Sequence, residues 1–400
     1  MYVTRPLSLY RESPSSISMP PPEGPNSGIL VIQDQKEDAE LRSSKWCGMF
    51  KKKESVKMLP FPQNKILRLT HSVEAGEFEY SESVYAVLIP VLNKPLSSNQ
   101  YYIINARGAR KGLACTNSKE DETSSSKCCY TVPDPPPQIF DPKNEYQQFQ
   151  ISDYIYCGGA SGFVSKSVAP DGVPPLRLSR NGWQAYPQPL NNFLEPTQAL
   201  GLNASLRACL PDLNFSLPCK SSDAVVVGKW YCPFIFIREG NEAVGSQMTN
   251  SLYYEITLHQ NWVEIFKCEN NGVAPDNVDA FVEREVVSIA GEAATPVGSR
   301  NVGDGIVWFE PWKVGLSLVI VERMKWEQER GGFRWVEERE EKKVRVVKNK
   351  EELKFKEKGN KWKRFGCYVL VERFVVKRMD GSLVLTWEFR HTHQVRTKWE

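Results

Sequence analysis

The sequence is poor in histidine, in paired cysteines and in long apolar runs, and each shortage removes a class of function. Histidine occurs at four of 400 positions, His71, His259, His391 and His393, so imidazole-based acid–base or metal chemistry has few centres. Ten cysteines are scattered along the chain with no C-x-x-C spacing, which excludes zinc-ribbon and thioredoxin-like motifs. No run approaches the ~20 apolar residues of a membrane helix, so no transmembrane segment is expected. The stretch Met1–Pro20 lacks a signal-peptide core, and the six prolines from Pro6 to Pro25 oppose the amphipathic helix of a transit peptide. The expected location is therefore the cytosol, or also the nucleus, with reduced thiols and unused sequons at Asn203 and Asn214.

Nucleotide and hydrolase signatures are missing too. There is no G-x-x-x-x-G-K-[ST], and Gly303-Asp304-Gly305 runs into Ile306-Val307-Trp308 without a third glycine or a helix. Gly158-Gly159-Ala160-Ser161-Gly162 has its glycines at the wrong offsets for a serine-hydrolase elbow. No cofactor is expected.

What is present is a globular composition: 41% hydrophobic, 25% charged and a net charge of +3, which excludes global disorder. Apolar segments are short, rich in Val, Ile, Tyr, Phe and Trp, and punctuated by Gly, Pro and Asn, as strands are. Examples are Ile29–Gln33, Val84–Leu92, Tyr101–Asn105, Phe163–Val168, Phe234–Ile237, Tyr253–His259 and Trp262–Phe266. Helical periodicity is scarce; Leu202–Leu210 fits two turns before Pro211, and Val278–Ile289 fits either helix or strand. The fold class expected is mainly β, a β-rich α+β chain of antiparallel, sandwich-like sheets in two halves with few short helices. Its divisions are a Pro/Ser-rich segment 1–27, a β-rich half 28–169, a Pro-rich connection 170–223, and a β-rich half 224–400 with a basic segment 342–364.

The sharpest internal signal is a repeat. Val319-Ile320-Val321-Glu322-Arg323 recurs as Val369-Leu370-Val371-Glu372-Arg373, with Gly331 and Gly381 at the same offset. Both copies are expected to be β-hairpins, Val319–Glu329 with Phe333–Glu341 and Val369–Met379 with Leu383–Gln394, turning at Gly331-Gly332 and Asp380-Gly381. In the second, the turn sets Phe374 opposite Trp387, Val376 opposite Leu385 and Arg373 opposite Glu388. Leu370, Phe374, Val376, Leu383, Leu385, Trp387 and Phe389 then form the core face.

Several stretches also carry a family resemblance: MYVTRPLSLY, PPPEGPNSGILVIQD, LPFPQNK, IPVLNKPLSSNQYY, SVAPDG, GLSLVIVERMKWEQERGGF, CYVLVERFVVKRMDGSLVLTW and HTHQVRTKWE. Through them the chain resembles, over its full length, the plant-specific family known as domain of unknown function 1262. The resemblance implies a plant stress- or defence-responsive protein and carries no catalytic residue, activity or cofactor to any position.

Three features bear on chemistry. His391 and His393 lie two apart on one strand face with Glu372 diagonal to His391, the elements of a His-His-carboxylate metal site; hydrogen-bonded structural histidines are the better expectation. Glu322 and Glu372, matched in the repeat and near tryptophans, could form a carboxylate pair of the kind that cleaves glycosides; buried, paired structural carboxylates are favoured instead. From Lys313 onward 23 basic residues face 14 acidic ones, a net +9 that leaves −6 for the first 312 residues. Lys342, Lys343, Arg345, Lys354, Lys356, Lys358, Lys361, Lys363 and Arg364 are the candidate contacts there for nucleic acid or acidic lipid. A solvated connection is the plainer reading. Function is thus expected to be that of a non-enzymatic interaction or scaffold protein with an unidentified protein partner, with polyanion binding second and carbohydrate hydrolysis third.

Overall fold

In the computed structural model the description covers all residues except 34–54, 76–77, 123, 127–128, 132–133, 156–160, 189–193, 218, 241, 271–276, 297–303, 336–341 and 348–361. The β-branched and aromatic segments form strands, nearly all antiparallel, and the few helices are short. The chain is β-rich, as the spacing of its apolar runs implies.

Two sheets carry most of the structure. The larger has 12 strands among the described residues. It runs from Ile237–Glu239 through Val314–Ser317, Ile306–Glu310, Glu292–Pro296 and Glu285–Ile289 to the long central strands. These are Leu383–Trp399, Arg364–Arg378 and Tyr253–Glu269, followed by Val225–Pro233, Tyr2–Pro6 and Gly28–Ile32. Among the described residues only the last pair is parallel, Tyr2 lying beside Gly28. The smaller sheet has six strands, Ser161–Ser167, Gln148–Ile155, Gln100–Asn105, Phe78–Pro90, Ile66–Ala75 and Gln184–Gln188. Sequence neighbours therefore do not map onto sheet membership. Tyr2–Pro6, from the segment 1–27, completes the large sheet, and Gln184–Gln188, from the connection 170–223, is an edge of the small one.

Both faces of the small sheet are buried, which explains its uninterrupted apolar runs. Val87, Ile89, Tyr102 and Ile104 join the main core with Trp230 and Tyr254 of the large sheet and with Phe236, which lies in a 3-10 turn, Phe234–Phe236, rather than in the strand expected there. Ala86, Leu88, Tyr101 and Ile103, one residue out of phase, join a second core around Phe61, Phe163 and Trp183. The two-residue period of the strand delivers alternate side chains to alternate cores.

The second expected hairpin is present with the expected pairing: Phe374 faces Trp387, Val376 faces Leu385 and Arg373 faces Glu388. Gly381 adopts φ +86°, which its turn requires. Arg373 Nε donates to Glu388 at 2.8 Å on the wetter face. On the core face Leu370, Phe374, Val376, Leu385, Trp387 and Phe389 are buried, whereas Leu383, expected with them, lies at the strand end next to the turn and is 43% exposed. The opposite face is also covered at its far end, where Val369 and Val371 pack on Ala280 and Val282.

The first copy is not a hairpin. Leu318–Arg330 is an α-helix, and it corrects the expectation that Val319–Glu329 is a strand. Its buried residues are Val319, Ile320, Val321, Arg323, Met324, Glu327 and Gln328, and Ile320, Val321, Met324, Glu327 and Gln328 among them are spaced i, i+1, i+4, i+7 and i+8. The five-residue repeat encodes β-propensity, but the residues after it differ. Phe374-Val375-Val376 continues the apolar run, whereas Met324-Lys325-Trp326-Glu327-Gln328 breaks it into a helical period. Context decides such short motifs. Gly331-Gly332 ends the helix, with Gly331 N–H donating to the Glu327 carbonyl at 3.1 Å. Phe333–Glu341 was its expected partner strand; Phe333 to Trp335 are not in a strand, and 336–341 lie outside the described residues.

Trp387→Ala should cost about 3–5 kcal/mol by denaturant unfolding, as large aromatic deletions from a packed core do. Glu322→Ala, on the solvent side of the helix, should change stability by no more than about 0.5 kcal/mol. Equal losses would contradict the helix.

Candidate functional site

Among the buried residues on the core face of the central strand, one is charged. Glu372 sits between Leu370 and Phe374 on that face and is 1% exposed, a placement that water does not compensate. Arg207, from the short helix Ala204–Cys209, does. Its Nε donates to Glu372 Oε1 at 2.7 Å and its Nη2 to Oε2 at 2.5 Å, a bidentate pair across 165 residues of sequence. Gln260 Nε2, on the neighbouring strand, adds a third bond to Oε1 at 2.8 Å.

Arg207 also binds the long helix. Nη2 donates to the Glu327 carbonyl at 2.8 Å, and Nη1 lies 3.6 Å from Glu327 Oε2. Glu327 accepts from Arg323 Nη2 at 2.7 Å one helical turn earlier, and Arg323 Nη1 donates to Ser27 Oγ at 2.8 Å. The chain Arg323–Glu327–Arg207–Glu372 thus alternates in sign and sums to zero. Gly331 makes room for it: a Cβ there would collide with Arg207 Nη2 and come within 3.2 Å of His391 Cε1.

His391 closes the far end. Its Nε2 is 3.0 Å from Gln328 Oε1 and 3.6 Å from Glu372 Oε2. Both are acceptors, so Nε2 carries the hydrogen. Burial pushes the Glu372 carboxyl up, but the His391 and Arg207 contacts outweigh it and bring it down to about 2.

The sequence-derived candidates separate on this frame. Glu372 and His391 come together, and Glu372 is diagonal to His391 as the register implied. Glu322 does not join them: it is exposed on the helix and accepts from Asn26 Nδ2 at 2.9 Å. The carboxylate actually linked to Glu372 is Glu327, through Arg207. His393 lies beside His391 with ring centroids 5.5 Å apart and is exposed. Among the described residues no group of three or more His, Cys, Asp and Glu is placed to hold a metal ion. Lys342, Lys343 and Arg345 lie on the strand Lys342–Val347, which pairs with Asn277–Val282. Lys363 is exposed and Arg364 Nε is 3.7 Å from Glu269 Oε1. Lys354, Lys356, Lys358 and Lys361 lie outside the described residues.

Next to His391 the surface opens into a cleft of about 330 Å³. It lies where the hairpin ladder is irregular: Val369 pairs with Val395, yet Leu370 pairs with His391, and bulges of this kind re-aim side chains. The walls include Arg284, Phe333, Arg334, Arg390, His391 and His393. Arg284, Arg334 and Arg390 were not singled out from the sequence; the alternation Arg390, His391, Thr392, His393 after a core strand was the available signal. Arg207 gave none, being a lone arginine in a short helix.

Residues 23–130 match the family described as Protein of unknown function (DUF1262). The chain carries that domain. It includes the strand Gly28–Ile32 and three strands of the small sheet. It excludes the central hairpin and the cleft. A search of curated proteins found no match. Among solved structures, the crystal structure of Cry35Ab1 aligns with a TM-score of 0.40 and 10% identity, covering 85% of this chain and 90% of that one. No helix among the described residues is long and apolar enough to cross a membrane.

Glu372→Gln leaves Arg207 partly unpaired in the interior and should cost about 3–5 kcal/mol. The Glu372 carboxyl titrates lower in the folded chain than in the unfolded one. Its contribution is therefore complete above about pH 4.5 and lost as pH falls toward 2. Thermal midpoints measured across that window should fall less steeply for Glu372→Gln than for the native chain.

Proposed function

We propose that this is a non-enzymatic intracellular binding protein whose ligand site is the cleft beside His391. One observation carries the reading: the cleft is lined by cationic and aromatic side chains, with no carboxylate among its described lining residues. The nearest buried carboxylate, Glu372, is already saturated by Arg207 and Gln260. A glycoside hydrolase needs two carboxyl groups facing each other across an open site. Glu322 on an outer helix face and Glu372 in the core supply neither the pairing nor the access. The plant stress or defence setting that the family resemblance implies is compatible with a binding role.

A second reading has narrower support. Lys342, Lys343 and Arg345 lie on a two-stranded ribbon outside the large sheet, a placement that suits weak, salt-sensitive contact with RNA or acidic lipid.

Chromogenic glycosides incubated with the purified chain should release no chromophore above the uncatalysed rate. Turnover that disappears in Glu372→Gln while the fold stays intact would replace the binding reading with an enzymatic one.

A further inference from the structure

We propose that the cleft binds a small phosphorylated ligand, its phosphoryl oxygens held by Arg284, Arg334 and Arg390, with His391 Nδ1 accepting from a hydroxyl of the ligand. The proposal rests on the binding-protein reading and names the ligand chemistry of that same site.

The first support is an accumulation of unmet hydrogen-bonding capacity. Arg284 Nε, Arg390 Nε and His391 Nδ1 are buried atoms without a hydrogen-bond partner, and all three residues line this one cleft. Buried polar atoms are nearly always paired, and each orphan costs about 1–3 kcal/mol. His391 itself is only 1% exposed, so bulk water does not satisfy its ring. Its Nε2 is committed to Gln328 and Glu372, which leaves Nδ1 as its free edge. With its hydrogen on Nε2, the ring presents Nδ1 as an acceptor for a ligand hydroxyl.

The second support is preorganised positive charge. Arg284 donates through Nη2 to the Arg334 carbonyl and lies over the Phe333 ring at 4.8 Å, so its guanidinium is fixed at the wall. Arg390 is held more loosely. Its Nη1 reaches the Glu283 carbonyl at 3.4 Å and its Nη2 reaches Glu388 Oε2 at 3.5 Å. Glu388 is engaged more closely by Arg373, at 2.8 Å and 2.5 Å. Arg334 is exposed at the rim. Planar guanidinium forks match phosphoryl oxygens better than ammonium groups do. The volume of about 330 Å³ lies at the small end of organic ligand sites, which span roughly 300–1,000 Å³. That exceeds the need of a bare phosphate and leaves space for a compact organic body against Phe333.

The test is isothermal titration of the full chain with inorganic pyrophosphate and, separately, inorganic phosphate. The native chain should bind pyrophosphate with one-to-one stoichiometry. Arg334→Gln and Arg390→Gln should each weaken it about tenfold or more, the loss of one charge-assisted hydrogen bond. Lys220→Gln, which removes an exposed charge elsewhere, should stay within about twofold of native, as surface changes away from a site do. Absence of binding at millimolar pyrophosphate, or equal weakening by Lys220→Gln, overturns the proposal and leaves the non-enzymatic reading standing. Hydrolysis of pyrophosphate that Arg334→Gln abolishes would do the reverse, upholding the site and overturning the non-enzymatic reading.

Discussion

A carboxylate in the middle of the longest hairpin's core face has to be neutralised from somewhere, and that requirement organises the C-terminal part of the molecule. Glu372 sits among Leu370, Phe374 and Phe389, where an uncompensated charge would cost more than most single core contacts supply. Arg207 meets it bidentately and spends its remaining donors on the end of the long helix. One guanidinium therefore pins three elements: the short helix that carries it, the central strand and the C-terminal turn of Leu318–Arg330. The close fit of Gly331 against Arg207 follows, since any side chain there would displace the guanidinium.

The same network fixes His391. With Gln328 and Glu372 on one side of the ring, the imidazole is oriented before any ligand arrives, and such second-layer contacts give sites their precision. The cleft then forms at an irregular step in the hairpin ladder, roofed by the Gly332–Phe333 turn that follows the helix. Strand, helix end and turn are each held by the buried charges, so the cleft belongs to the rigid frame of the sheet.

Much of the hairpin was legible in the sequence because its period is strict. Asp380-Gly381 set the register, and Phe374, Trp387, Arg373 and Glu388 then fell into place with His391 diagonal to Glu372. The helix was not legible by the same logic. Val319-Ile320-Val321 repeats a strand motif, and only Met324, Glu327 and Gln328 beyond it reveal the helical period. The pairing of Glu322 with Glu372 failed for that reason: it was inferred from a repeat whose two copies fold differently. Tyr2–Pro6 and Gln184–Gln188 escaped notice because each is short and proline-bearing, and each is made a strand by a distant partner. Arg207, Arg284 and Arg390 act through contacts 50 to 165 residues away, or through a cleft, and spacing along the chain encodes neither.

The most direct measurement is a double-mutant cycle on the central pair, with Arg207→Met, Glu372→Leu and the combined variant compared by reversible denaturation. Each single change strands a buried charge, so each should be strongly destabilising, while the double variant should be more stable than either, giving a coupling of about 2 kcal/mol or more. Additive effects, with the double variant the least stable of the three, would show that Arg207 and Glu372 do not constrain one another and would remove the basis for the oriented His391.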